Sequence, residues 1–67
     1  MKKCEYEVLS TFISSDGKLQ SNVVLYEGKL FVDYIENEVL LKSEPCTQSQ
    51  IFAEEMAENY VLGIKKI

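Results

Sequence analysis

Apolar and polar positions alternate from residue 4 to residue 13 (CEYEVLSTFI), the period of a β-strand that lies on a core by one face. Asp16-Gly17, set between serines and Lys18, follows as a tight-turn signal, because glycine accepts a positive φ that other residues resist. Residues 19–26 (LQSNVVLY) predict a second strand and Glu27-Gly28 a second turn. Residues 29–35 (KLFVDYI) predict a third strand, rich in β-branched and aromatic side chains. Glu36-Asn37-Glu38 turns the chain again, and residues 39–42 (VLLK) predict a short fourth strand. Ser43-Glu44-Pro45 ends the strand pattern, since proline donates to no ladder and disfavours helix at the residue before it.

The period then changes. Thr47 to Gln50 (TQSQ) has the form of a capping box, with Cys46 and Ile51 as the accompanying staple. The predicted helix runs from about Gln48 to about Leu62. Gly63 is either its left-handed cap, with Ile64 to Ile67 as a tail, or an interior residue of a longer helix. Both stay open, because Ile64 and Ile67 continue the spacing of Met56, Ala57 and Tyr60. The predicted fold is α+β: a four-stranded antiparallel meander followed by one C-terminal helix packed on one face (ββββα), in a single domain spanning residues 1–67.

Two-residue turns at Asp16-Gly17 and Glu27-Gly28 set the register. Leu25 pairs with Leu30, Val23 with Val32 and Ser21 with Tyr34; Val8 pairs with Leu25, Ser10 with Val23 and Phe12 with Ser21. One face then carries Cys4, Tyr6, Val8, Phe12, Leu19, Val23, Leu25, Leu30, Val32 and Tyr34. It seats the helix, which offers Ile51 or Phe52, Ala53, Met56, Ala57, Tyr60 and Ile64 and turns Glu54, Glu55 and Glu58 to water. The opposite face carries Glu5, Glu7, Leu9, Thr11, Ile13, Val24, Tyr26, Lys29, Phe31, Asp33 and Ile35. One helix cannot cover both faces, and apolar surface left open on a small soluble protein marks an interface.

Composition narrows the function classes. A chain of 67 residues buries only about 60% of the surface its unfolded form exposes. Its apolar fraction of 46% is nevertheless enough for a small core. Eleven acids against seven lysines give a net charge of −4, with no arginine and no histidine. That balance disfavours nucleic acid, whose phosphates repel an acidic chain and whose bases are read largely by arginine. The missing histidine removes the commonest general base and zinc ligand. Met1-Lys2-Lys3 runs straight into Cys4, Glu5 and Glu7 rather than into an apolar signal segment. No stretch approaches the roughly 20 apolar residues of a membrane span. A soluble, cytoplasmic protein is expected.

The candidate chemistry is sparse. Cys4 and Cys46 read as two separate small core thiols, since two cysteines without histidine do not complete a zinc site. Cys46 lies near a helix N-terminus but has no histidine to pair with, so it is not read as a nucleophile. Glu5 and Glu7 read as solvent-facing strand residues, and Asp16-Gly17-Lys18 lacks the ligand ladder of a calcium loop. Lys65-Lys66 is a short basic tail. No catalytic residue, cofactor motif or metal set is legible, and the chain is read as a non-enzymatic protein-interaction module.

The module is expected to be homodimeric and to bind or modulate another protein through Leu9, Val24, Tyr26 and Phe31. Two alternatives stand beside it. Glu54, Glu55 and Glu58 form an acidic strip that would mimic nucleic acid toward a nucleic-acid-binding protein. Tyr26 and Phe31 would stack the bases of a single strand, a use to which other ββββα domains are put, although a likeness of topology alone licenses no function.

Overall fold

The structure, a computed structural model, describes residues 6–65. It has the predicted order: β1 (Tyr6–Ile13), β2 (Leu19–Tyr26), β3 (Lys29–Glu36), β4 (Val39–Cys46) and α1 (Gln50–Val61). The strands form one antiparallel sheet in the order β1-β2-β3-β4, and the helix lies on one face of it across β1, β2 and β3.

The central hairpin sets the frame. β2 and β3 pair without interruption from Tyr26–Lys29 to Leu19–Glu36, in the register expected from the two-residue turn. Both turn residues, Glu27 and Gly28, have positive φ (51° and 77°), the mirror-image turn whose twist matches the strands it joins. The β3–β4 turn repeats the device with Asn37 and Glu38 at 52° and 67°. The first loop is broader than a two-residue turn. Gly17 N donates to Ser14 O at 3.0 Å, and Asp16 Oδ1 accepts from Ser14 Oγ (2.6 Å) and Lys18 N (3.0 Å). These bonds hold the Asp16 carboxyl below its ordinary pKa.

Both edge strands carry a bulge. In β1 the register shifts between Val8 and Ser10, so Leu9 is the extra residue; Val8 pairs with Val24 rather than Leu25, and Tyr6 with Tyr26. Below the bulge, Ser10–Val23 and Phe12–Ser21 keep the expected pairing. One inserted residue exchanges the faces of everything beyond it. Tyr6 and Val8 therefore leave the helix side for the open side, and Leu9, expected on the open face, packs against the core under the helix. In β4 the shift lies between the Tyr34–Lys42 and Ile35–Leu40 pairs, with Leu41 as the extra residue. β4 is longer than residues 39–42 and runs through Pro45, which an edge strand tolerates because one row of its N–H groups pairs with nothing in the sheet.

Under the helix, Val23, Val32, Tyr34, Cys46, Ala53, Ala57 and Tyr60 form the buried cluster, with Leu9, Phe12, Leu19, Leu30, Met56 and Val61 around it. The sheet-facing stripe of α1 is Ala53, Ala57 and Tyr60, at i, i+4 and i+7. Ile51, Phe52 and Ile64, expected in that interface, are exposed instead. The helix also starts later than expected. Ser49, not Thr47, is the N-cap, and its Oγ accepts from Phe52 N at 3.3 Å. Gly63 (φ 83°) is the left-handed cap at the other end: Gly63 N donates to Tyr60 O and Ile64 N to Asn59 O, the paired bonds of a Schellman motif. Cys46 is buried, with its thiol 3.9 Å from Ser49 O; pairing with Cys4 lies outside the described residues, as do Glu5 and Lys66.

Two buried phenols anchor the helix to the sheet. The rings of Tyr34 and Tyr60 meet edge to face at 4.9 Å; Tyr34 Oη donates to Glu44 Oε1 (2.8 Å) and Tyr60 Oη to Ile35 O (3.2 Å). Lys65 closes over this site, 3.8 Å from Glu44 and 5.8 Å from the Tyr34 ring. Burial holds both phenols above the ordinary tyrosine pKa, aided by the hydrogen bond and charge of Glu44 at Tyr34 and by the charge of Glu36 at Tyr60.

Replacement of Ser49 by Ala is expected to lower the unfolding free energy by about 1 kcal/mol, and of Thr47 by less than about 0.5 kcal/mol, read from urea midpoints. Equal losses would return the cap to Thr47. The two buried phenols also make the fold sensitive to alkali. The unfolded chain loses phenolic protons from about pH 10 while the native state retains them, so stability is full below that pH and falls as the pH rises through the folded-state values. Tyr34→Phe should flatten this decline in denaturation curves taken across about pH 9 to 11, relative to the same variant at neutral pH. An unchanged slope would contradict the assignment.

Candidate functional site

The sheet face away from the helix reads in rows. The top row is Tyr6–Tyr26–Lys29 and the next is Val8–Val24–Phe31–Pro45. Below them a polar row, Thr11–Asn22–Asp33–Ser43, crosses all four strands, followed by Ile13–Gln20–Ile35–Leu40. Side chains on one face of neighbouring strands stand directly opposite one another, so each row is a line of contacts.

A hollow of about 410 Å³ opens across these rows, lined by Tyr6, Val24, Tyr26, Phe31, Asp33, Leu40 and Ser43. Each edge bulge contributes a wall. The one at Leu9 brings Tyr6 beside Tyr26, with ring centroids 6.3 Å apart and planes at 63°. The one at Leu41 turns Leu40 onto the same face. Val24 is only 2% exposed although no helix covers it, while Tyr6 and Leu40 remain 50% and 58% exposed on the rim.

Asp33 is the charged group of the hollow, and it is 8% exposed. Its Oδ1 accepts from Ser43 Oγ at 2.7 Å and its Oδ2 from Tyr6 Oη at 3.3 Å. Its backbone carbonyl accepts from Ser21 Oγ at 2.8 Å, through the sheet from the helix side. Both partners of the carboxylate are neutral hydroxyls, and the ion pair seen among the described residues is Lys65–Glu44, on the other face. Desolvation, together with the charge and hydrogen bond of Asp33, holds the Tyr6 phenol above its ordinary pKa. The arrangement is an aromatic-walled apolar seat with one recessed negative charge.

Of the residues singled out from the sequence, Val24, Tyr26 and Phe31 come together in this hollow, whereas Leu9 lies on the opposite side of the sheet. Glu54, Glu55 and Glu58 lie on the helix, away from it. Glu54 is drawn onto the sheet, accepting from Ser10 Oγ at 2.7 Å and Gln50 Nε2 at 3.1 Å, bonds that lower its pKa. The acidic strip is thus reduced to Glu55 and Glu58 as outward carboxylates. Tyr6, Asp33, Leu40 and Ser43 were not legible as site residues. The available signal was the acid at position 33, set inside the apolar run of β3.

Among the described residues no group of three or more histidine, cysteine or acidic side chains converges to hold a metal ion, and no helix is long and apolar enough to cross a membrane. Compared with family models, with curated proteins and with solved structures, the chain matches none.

A recessed carboxylate with neutral partners serves folding little, because burying a charge opposes stability even where it is hydrogen-bonded. Asp33→Asn keeps the shape and an acceptor for Ser43 while removing the charge. It is expected to leave stability at neutral pH unchanged or raise it by up to about 1 kcal/mol. A loss above about 2 kcal/mol would make the carboxylate a structural element.

Proposed function

We propose that the protein is a non-enzymatic interaction module that seats a partner protein on the open sheet face, around Tyr6, Val24, Tyr26, Phe31 and Leu40. The observation that carries this reading is the aromatic-walled hollow, held open by the two edge bulges on the face that no helix covers. Apolar surface bordered by polar groups is characteristic of interfaces, and aromatic anchors supply most of the energy in many of them.

A partner of different sequence suits this face better than a second copy. In a two-fold stack centred on the hollow, one Asp33 would confront the other, since such an interface sets the same patch against itself. The expected homodimer is therefore proposed only in an offset form, over the exposed Leu40 at the β4 end of this face. Edge-to-edge association is disfavoured by the bulges at Leu9 and Leu41 and by Pro45. A single-strand nucleic-acid platform is disfavoured by the Asp33 charge among the aromatics. The acidic-decoy reading has only Glu55 and Glu58 left to support it.

The test is a selection of displayed peptides and small domains against the full chain, with Phe31→Lys as counter-target. Binders are expected to lose at least about tenfold in affinity, roughly 1.4 kcal/mol, on Phe31→Lys while circular dichroism stays unchanged. Binders indifferent to Phe31, or a tight dimer of the chain that survives Phe31→Lys in sedimentation, would refute the assignment.

A further inference from the structure

We infer that the hollow receives the ammonium head of a lysine side chain, plain or methylated, presented by the partner protein; this rests on the docking reading above. Three features of the hollow converge on a cation. Its walls are the rings of Tyr6, Tyr26 and Phe31, and aromatic faces attract ammonium groups through their quadrupoles. Its charged group is the Asp33 carboxylate, 8% exposed and bound among the described residues by the hydroxyls of Tyr6 and Ser43. A carboxylate has about four acceptor sites, so capacity remains after those two bonds. Buried charges are ordinarily paired, and the charge complement here is positive.

The geometry also selects among cations. An arginine fork binds a carboxylate best when both oxygens are free to accept in parallel. Ser43 already bonds Oδ1 and Tyr6 bonds Oδ2, so a fork would have to share both oxygens with hydroxyls already in place. An ammonium is a compact charge that needs no fork. The rows of the sheet guide its stem: the apolar row holding Val24 and Phe31 lies directly beside the polar row holding Asp33. A four-carbon chain laid along the first delivers its head to the second, as lysine stems do on apolar surface. A hollow of about 410 Å³ has room for one such side chain.

The experiment is an NMR titration of the full chain with three small probes: the acetylated methylamides of lysine, of Nε-trimethyl-lysine and of norleucine. The expected result is that both ammonium probes shift the resonances of Tyr6, Tyr26, Phe31 and Asp33, with ring-current shifts on the probe's own terminal protons. Norleucine, which has the stem without the charge, should bind at least about tenfold more weakly. Asp33→Asn should weaken both ammonium probes by a similar factor while leaving the chain folded. Tyr26→Leu, which keeps the wall apolar, should weaken the trimethylated probe. Equal binding of norleucine, binding indifferent to Asp33→Asn, or no shift with any probe would overturn the inference. Ammonium binding without any Phe31-dependent protein binder would support the cation site and refute the docking reading. Phe31-dependent binders combined with equal norleucine shifts would do the reverse.

Discussion

The uninterrupted pairing of β2 with β3 is the constraint from which the rest of this molecule follows. The hairpin aims Val23 and Val32 at the helix and Val24 and Phe31 away from it, so the two central strands are needed on both faces at once. A slip of one residue would exchange the two sets, which is why the register tolerates no irregularity at the centre. The irregularities sit in the outer strands, where a bulge disturbs a single ladder. Each has a positional consequence: the extra Leu9 carries Tyr6 and Val8 onto the open face, and the extra Leu41 carries Leu40 there. The same bulges interrupt the two edges at which a bare sheet would recruit further strands.

The two faces of the sheet make opposite use of burial in so small a chain. On the helix side the fold is economical. Alanines at 53 and 57 let the helix approach the sheet closely, and Tyr34 and Tyr60 satisfy their hydroxyls within the protein. On the open side Asp33 occupies a position where a β-branched or aromatic residue would add to the core of a domain short of apolar burial. Departures from local consistency of this kind gather at functional sites. The carboxylate is held by a hydroxyl from each edge strand, Tyr6 from β1 and Ser43 from β4, so its position depends on the whole width of the sheet.

Much of the fold was legible in the sequence because its signals are local. Glycine at positions 17 and 28, asparagine at 37 and the alternation between them define the strands, and the Leu25–Leu30, Val23–Val32 and Ser21–Tyr34 pairs follow from one turn. The bulges were not legible, since inserting Leu9 or Leu41 changes no turn residue and leaves an apolar residue on each face. Read without the bulge, Leu9 falls on the wrong side of the sheet, and Tyr6 and Val8 with it. The helix stripe of Ala53, Met56, Ala57 and Tyr60 was legible, and its first turn was not. Thr47 and Ser49 can each cap; with Ser49 as the cap the helix begins at Gln50, and Ile51 and Phe52, one of which was expected in the core, lie on the surface of its first turn. Of the hollow's lining, Val24, Tyr26 and Phe31 share the open face in the sequence pattern because they lie on the regular central strands; Tyr6 and Leu40 depend on the edge bulges, and Asp33 and Ser43 on a tertiary hydrogen bond.

The hollow depends on where β1 changes face. The most direct measurement is a set of inter-strand nuclear Overhauser contacts from the isotopically labelled chain. Contacts of the Val8 methyls with Val24, and of the Tyr6 ring with the Tyr26 ring, are the result required by the bulge at Leu9. Contacts of Val8 with Leu25 and with the helix, with Leu9 found instead on the open face, would mean that β1 runs without a bulge. The aromatic hollow around Asp33 would then lack its first wall.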